Sequence, residues 1–218
     1  MTRSSILLLT ICLAAAPLWG QQVLSELQKA VEERPDDVAT LVQLARAYHE
    51  QGTTGDKQAV KQAAETAERA LQLDPGNALA LAIRGSATTM RGRDTWLPWK
   101  KLDYVEEGCD DLDKAVEMAP DNIDVRLFRA INSLRLPDFF HRLHYAVKDL
   151  KHLRSLPHFG RLPANLRATV FYYSGVAYQK SGLVEKGLPM LQQAVQAAPA
   201  SEEGKRAAAE LGKIEDKP

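Results

Sequence analysis

Residues Ser174–Pro199 read SGVAYQKSGLVEKGLPMLQQAVQAAP, and the placement of small residues in this stretch decides the fold. The segment is otherwise helical in character, yet Gly175, Gly182 and Gly187 interrupt it. Inside a helix glycine costs roughly 1 kcal/mol relative to alanine, so its repetition needs a compensating reason. A hairpin of two helices, over about 166–181 and 185–197, supplies one. Gly182 ends the first helix, where a positive φ suits glycine, and Pro199 stops the second. Gly175 and Gly187 then meet where the helices cross, and a larger side chain there would hold the backbones apart. A second helix starting at 184–187 puts Pro189 close to the first turn, whose N–H groups have no intrahelical acceptor.

The same ending recurs along the chain. AVEERPDD at 30–37, ALQLDPGN at 70–77, AVEMAPDN at 115–122 and AVQAAPAS at 194–201 each read Ala-apolar-x-x-x-Pro followed by small polar residues. Their spacing fits a period of about 34 residues carrying insertions, with two units between the last pair of endings. This pattern resembles the tetratricopeptide repeat, whose consensus runs W-x2-L-G-x2-Y and then Ala, an aromatic, Ala and Pro across two antiparallel helices. Phe171, Ser174, Gly175 and Tyr178 fall in the first four slots of the last unit, and Gly187, Leu191, Ala194 and Pro199 in the others. Leu41, Leu44, Ala45, Tyr48, Ala63, Ala67, Ala70 and Pro75 match in the first. The central units depart: Arg84, Arg126 and Arg129 stand where apolar residues belong, and Thr88 takes a tyrosine slot. Two aromatic-rich insertions also lie there, DTWLPWKKLDY (94–104) and LPDFFHRLHY (136–145).

The resemblance implies an all-α solenoid of stacked antiparallel helix pairs, a right-handed superhelix of about ten helices. The expected helices are 22–34, 37–51, 57–73, 77–91, 105–118, 122–135, 139–155, 166–181, 185–197 and 202–214. In units, a half repeat at 21–37 precedes repeats at 38–77, 78–122, 123–167 and 168–201, and a capping helix at 202–214 closes the array. Arg84 and Arg129 in leucine slots are expected to be buried and paired, anchoring the two insertions; Asp103, Asp111, Asp113, Asp138 and Asp149 are the candidate acids.

The first twenty residues follow another logic. Arg3, the apolar run Ile6–Trp19 and the small residues Ala14–Ala16 and Gly20 form the layout of a cleaved secretory signal. Cleavage is expected after Gly20; cleavage after Ala16 would leave Pro17 at the new terminus. The run is shorter than the ~20 residues that span a bilayer, which disfavours an uncleaved anchor. Cys12 follows Ile11 rather than a small residue, which disfavours a lipoprotein. The chain is therefore expected to be exported, periplasmic or secreted. Only Cys109 remains after processing, so no intramolecular disulfide forms. Its place in a helical pattern suggests a buried thiol rather than a nucleophile.

Charge balances at 28 against 28, but 126–167 holds nine Lys/Arg, four of the five histidines and only two acids, Asp138 and Asp149. No nucleophile–base pair or phosphate loop is visible, and the carboxylates of EEGCDD read as a solvated face. His141, His144 and His152 share one stripe of the expected 139–155 helix, but zinc wants three or four converging ligands and no acid joins them. Neither enzyme activity, cofactor nor metal is expected. The resemblance implies a scaffold that binds a protein or peptide in its groove; the acid-holding clamp of some relatives is absent, since Val42, Arg46, Ala82 and Ser86 line that face. The alternative is an acidic partner, anionic polymer or membrane surface bound through 126–167, with nucleic acid not expected for an exported chain. Candidate partner contacts are Arg46 and His49 in the first unit and Trp96 and Trp99 in the first insertion. Arg135 borders the second insertion, Phe139, Phe140, His141 and Arg142 lie within it, and Tyr172 and Lys180 belong to the last unit.

Overall fold

Each recurring proline ending stops one helix and starts the next. In a computed structural model, which describes residues 15–215 and side chains over 21–214, Asp37, Asn77, Asn122 and Ser201 each follow such a proline by two residues. Asp37 accepts from Ala39 N–H, Asn77 from Ala80, Asn122 from Val125 and Ser201 from Gly204. A cap of this kind is worth about 1 kcal/mol. The proline marks where the preceding helix cannot continue.

The described residues form ten α-helices and two 3-10 turns: α1 (Ala15–Glu33), α2 (Val38–Thr53), α3 (Lys57–Leu73), α4 (Ala78–Asp94), α5 (Pro98–Met118), α6 (Ile123–Arg135), α7 (Leu143–Ser155), α8 (Ala164–Lys180), α9 (Val184–Ala197) and α10 (Glu202–Glu215). The turns are Asp138–Phe140 and Phe159–Arg161. Helices pair as α2 with α3, α4 with α5, α6 with α7 and α8 with α9. The first helices of successive pairs, α2, α4, α6 and α8, also touch one another and make a continuous wall. The expected signal segment 1–20 lies outside the described residues except for the backbone of 15–20, which opens α1.

Small residues set the helix crossings. A Cβ on Gly175 would sit 2.6 Å from the Leu191 side chain, and one on Gly187 would sit 3.0 Å from the Gly175 carbonyl oxygen. Gly182 has φ +75 between α8 and α9. The pair Gly85 and Gly108 repeats the crossing between α4 and α5, where a Cβ on Gly85 would lie 2.7 Å from the Gly108 carbonyl. Apolar packing forms three clusters: Val31 through Val125, Leu127 through Ala177, and a small one of Leu191, Ala194 and Ala207 under α10.

Four expectations need correction. Helix α1 begins at Ala15 rather than 22. Helix α5 begins at Pro98 rather than 105, with proline in its first turn where no N–H is needed. Helix α7 begins at Leu143 rather than 139, because Pro137 opens a 3-10 turn that closes on His141 at φ 54, in the left-handed region. His141 is thus outside the helix, and the three-histidine stripe does not form. His144 Nδ1 bonds the His141 carbonyl at 2.8 Å, and His152 pairs with Asp121 at 2.7 Å.

The arginines in leucine slots are paired, but not to the insertions. Arg84 makes a two-pronged contact with Asp111 of α5, Nε to Oδ2 at 2.8 Å and Nη2 to Oδ1 at 2.7 Å. Arg129 repeats it with Asp149 of α7 at 2.8 and 2.7 Å. Each arginine therefore ties together the two helices of its own pair. Asp111 belongs to EEGCDD, so that face is not wholly solvated. The residue that does hold an insertion is Arg142, which grips Asp113 of α5 at 2.8 and 2.6 Å. Pro189 lies in the second turn of α9, where it leaves the Glu185 carbonyl without its helical donor.

Candidate functional site

The first helices carry polar and aromatic side chains on the face turned away from their partners. Positions 46, 49, 50 and 53 of α2, 86, 89, 90 and 93 of α4, and 124, 127, 128, 131, 132 and 135 of α6 follow helical spacing. With Tyr173 of α8 and Glu203 of α10 they enclose a cavity of about 430 Å³. That volume suits a small ligand or a few peptide side chains.

Its wall is apolar along Met90, Leu127, Phe128 and Ile131, and charged at its edges, with Arg46, Arg93 and Arg135 set among Glu50, Asp124 and Glu203. Arg46 pairs with Asp124 at 2.8 Å and lies 5.9 Å from the centre of the Phe128 ring. Arg93 is held by Asp94 and donates to the Gly52 carbonyl. Arg135 is exposed and, among the described residues, has no ion-pair partner. His49 is buried, bonds Ser86 Oγ at 2.8 Å and meets the Phe128 ring edge-on at 5.0 Å. Burial, then Arg135 and Arg46, push its imidazole down to about 4. It is therefore neutral at physiological pH.

Asn132 gives the cavity its most specific feature. Its amide donates to Thr89 Oγ1, which itself donates to the Ser86 carbonyl. The Asn132 Oδ1 atom is buried and has no donor. A buried acceptor left without a partner costs about 1–3 kcal/mol.

Of the residues singled out from sequence, Arg46, His49 and Arg135 line this cavity. Tyr172 does not: it packs beneath α10 with Leu211 and Ile214, while its neighbour Tyr173 reaches the cavity. Lys180 donates to the Leu134 carbonyl at 2.7 Å. Arg142 is spent on Asp113, and Arg126 and Arg129 share Asp149, so three cations of 126–167 turn inward. Phe140 stacks on Phe139 at 4.3 Å, while His141, Trp96, Trp99 and Phe139 are exposed away from the cavity. Met90, Arg93, Phe128, Ile131, Asn132 and Tyr173 went unrecognised. Continuing the spacing from Arg46 and Ser86 along each first helix would have found most of them. Cys109 is buried, and burial raises its thiol, consistent with an inert position. Among the described residues no group of three or more metal-ligating side chains forms.

No protein-family model matches the chain, and no curated protein matches it by sequence. Solved structures do match its fold. A thermophilic TPR protein of Thermus thermophilus is 19% identical, with 90% of this chain and 93% of that one covered at a TM-score of 0.70. A MamA structure is 19% identical over 89% of this chain and 94% of that one, with a TM-score of 0.50. The chain thus has the tetratricopeptide type of helical solenoid.

Proposed function

We propose that the protein is an exported, non-catalytic scaffold that holds a segment of a partner protein in the cavity between α2, α4 and α6. The observation that carries this reading is the apolar wall of Phe128 and Ile131 beside the free Arg135 in a cavity walled by successive first helices. A peptide would place an apolar side chain against Phe128 and Ile131 and an acidic group near Arg135. Export is supported by the layout of residues 1–20, and the mass of the processed chain tests it directly. A photo-crosslinking residue at Ile131 should capture a protein, and Phe128→Ala or Arg135→Glu should abolish that capture. Equal crosslinking in all three backgrounds would sink the groove reading.

A further inference from the structure

In a stack of antiparallel pairs, every turn from a first helix into its second lies on the same edge. Contacts between turns bear this out. Arg93 Nη2 donates to the Gly52 carbonyl, and Lys57 Nζ to the Asp94 carbonyl, joining the first two turns. Lys180 reaches the Leu134 carbonyl and joins the last two. This edge gathers large apolar side chains that the core does not use. Trp96 is 84% exposed, Trp99 62% and Phe139 65%. Leu102, Leu183 and Val184 are exposed there as well. Trp99 and Leu102 are three residues apart in the first turns of α5, hence on one face. Lys100, Lys101 and Lys186 are exposed among them, with no ion pair among the described residues. Acids lie on this edge too, Asp56, Asp94, Asp138 and Glu185, but its Lys and Arg outnumber them. The opposite edge has the reverse balance, with Asp36, Asp74, Asp121, Glu202 and Glu203 at or next to its turns against Arg34 and Arg161.

We propose that the aromatic edge lies on an anionic phospholipid surface. Trp96, Trp99 and Phe139 would sit at the boundary between headgroups and acyl chains, with the three lysines against lipid phosphates. Tryptophan beside lysine is the composition of a membrane interface. Protein interfaces, by contrast, favour arginine and are depleted in lysine. The apolar groups also stand on separate projecting turns, which suits shallow insertion into a fluid surface. The acidic opposite edge would be repelled by the same membrane, so only one orientation is favourable. Membrane contact at this edge does not depend on the groove.

The test uses the full chain with Trp19→Phe, so that emission reports Trp96 and Trp99 alone. It is mixed with vesicles of equimolar phosphatidylglycerol and phosphatidylcholine, or of phosphatidylcholine only. Emission should shift to the blue, and protein should sediment, with the anionic vesicles alone. Each lysine near such a surface is worth about fivefold in binding, so Lys100→Gln with Lys101→Gln should weaken it by about 25-fold. Phe139→Ala should weaken it too, while Phe128→Ala in the groove should leave it unchanged. Lys100, Lys101 and Phe139 are exposed, so the melting temperatures of those variants should match the parent. Sedimentation without a blue shift would mean that the N-terminal apolar run carries the chain, and would overturn the proposal. So would equal binding to both vesicle types, or a protein crosslinked from position 99 with no vesicle binding.

Discussion

Arg126 and Arg129 both donate to Asp149, whose side chain is wholly buried, and Arg129 also reaches Asp113. Burial alone would lower the Arg129 pKa, but Asp149 and Asp113 hold it raised. Asp149→Ala would strand the buried Arg126 and leave Arg129 with Asp113 alone, so we expect a loss of about 3–5 kcal/mol. Arg129→Leu restores the residue usual at its slot and leaves Asp149 with Arg126 and Asp113 with Arg142. It should cost less than half as much, and urea melts of the two variants decide; a larger loss for Arg129→Leu would contradict this. His49 offers a second test. Its pKa is about 4 when folded, against 6.5 for the ordinary side chain. The unfolded chain takes up the proton first as pH falls, so stability is intact above about pH 6.5 and is lost on going down towards about 4. The loss approaches about 3 kcal/mol. His49→Gln should flatten the profile in that window, and identical acid slopes would show that His49 does not set it.

Helix pairing depends on glycines whose local cost is recovered at the crossing. Gly108→Ala gains about 1 kcal/mol of helix propensity, yet its Cβ would collide with the Gly85 carbonyl and with Thr89. Overpacking of this kind costs about 1–3 kcal/mol, so thermal denaturation should show net destabilisation; a higher melting temperature would mean that the α4–α5 crossing relaxes freely. The hairpin at 174–199 was legible because proline, glycine and apolar spacing agreed there. The starts of α5 and α7 were not. Trp96 and Trp99 made residues 94–104 look like an insertion, although Pro98 was the sign of a helix start. At 139–142 the chain has helical composition, and only the left-handed His141 interrupts it.

Across the whole molecule, each pair packs mainly on its neighbours, with Arg46 and His49 of α2 also reaching α6, so the ends need closure. Helix α10 supplies it, burying Ala207 and packing Leu211 and Ile214 on Tyr172 and α9. A chain ending at Ser201 should lose solubility and melt at a lower temperature, as calorimetry and sedimentation would record; an unchanged melt would deny α10 its capping role. The stacking order was readable from the repeated endings. The cavity was only partly so, since it is assembled from α2, α4 and α6 with single residues of α8 and α10, which the sequence spaces dozens of residues apart. Arg46, His49 and Arg135 stood out by charge, whereas Asn132 matters only because its second amide atom finds no donor.

The paired arginines of the central units have a thermal consequence. Where the first unit buries Leu44 and the last the small Ser174, these bury guanidinium and carboxylate, and polar surface exposed on unfolding lowers the heat capacity change while apolar surface raises it. The desolvation cost of charged groups also falls on heating. The middle of the array should therefore keep its relative stability as temperature rises, so that heating loosens the solenoid from its two ends inward.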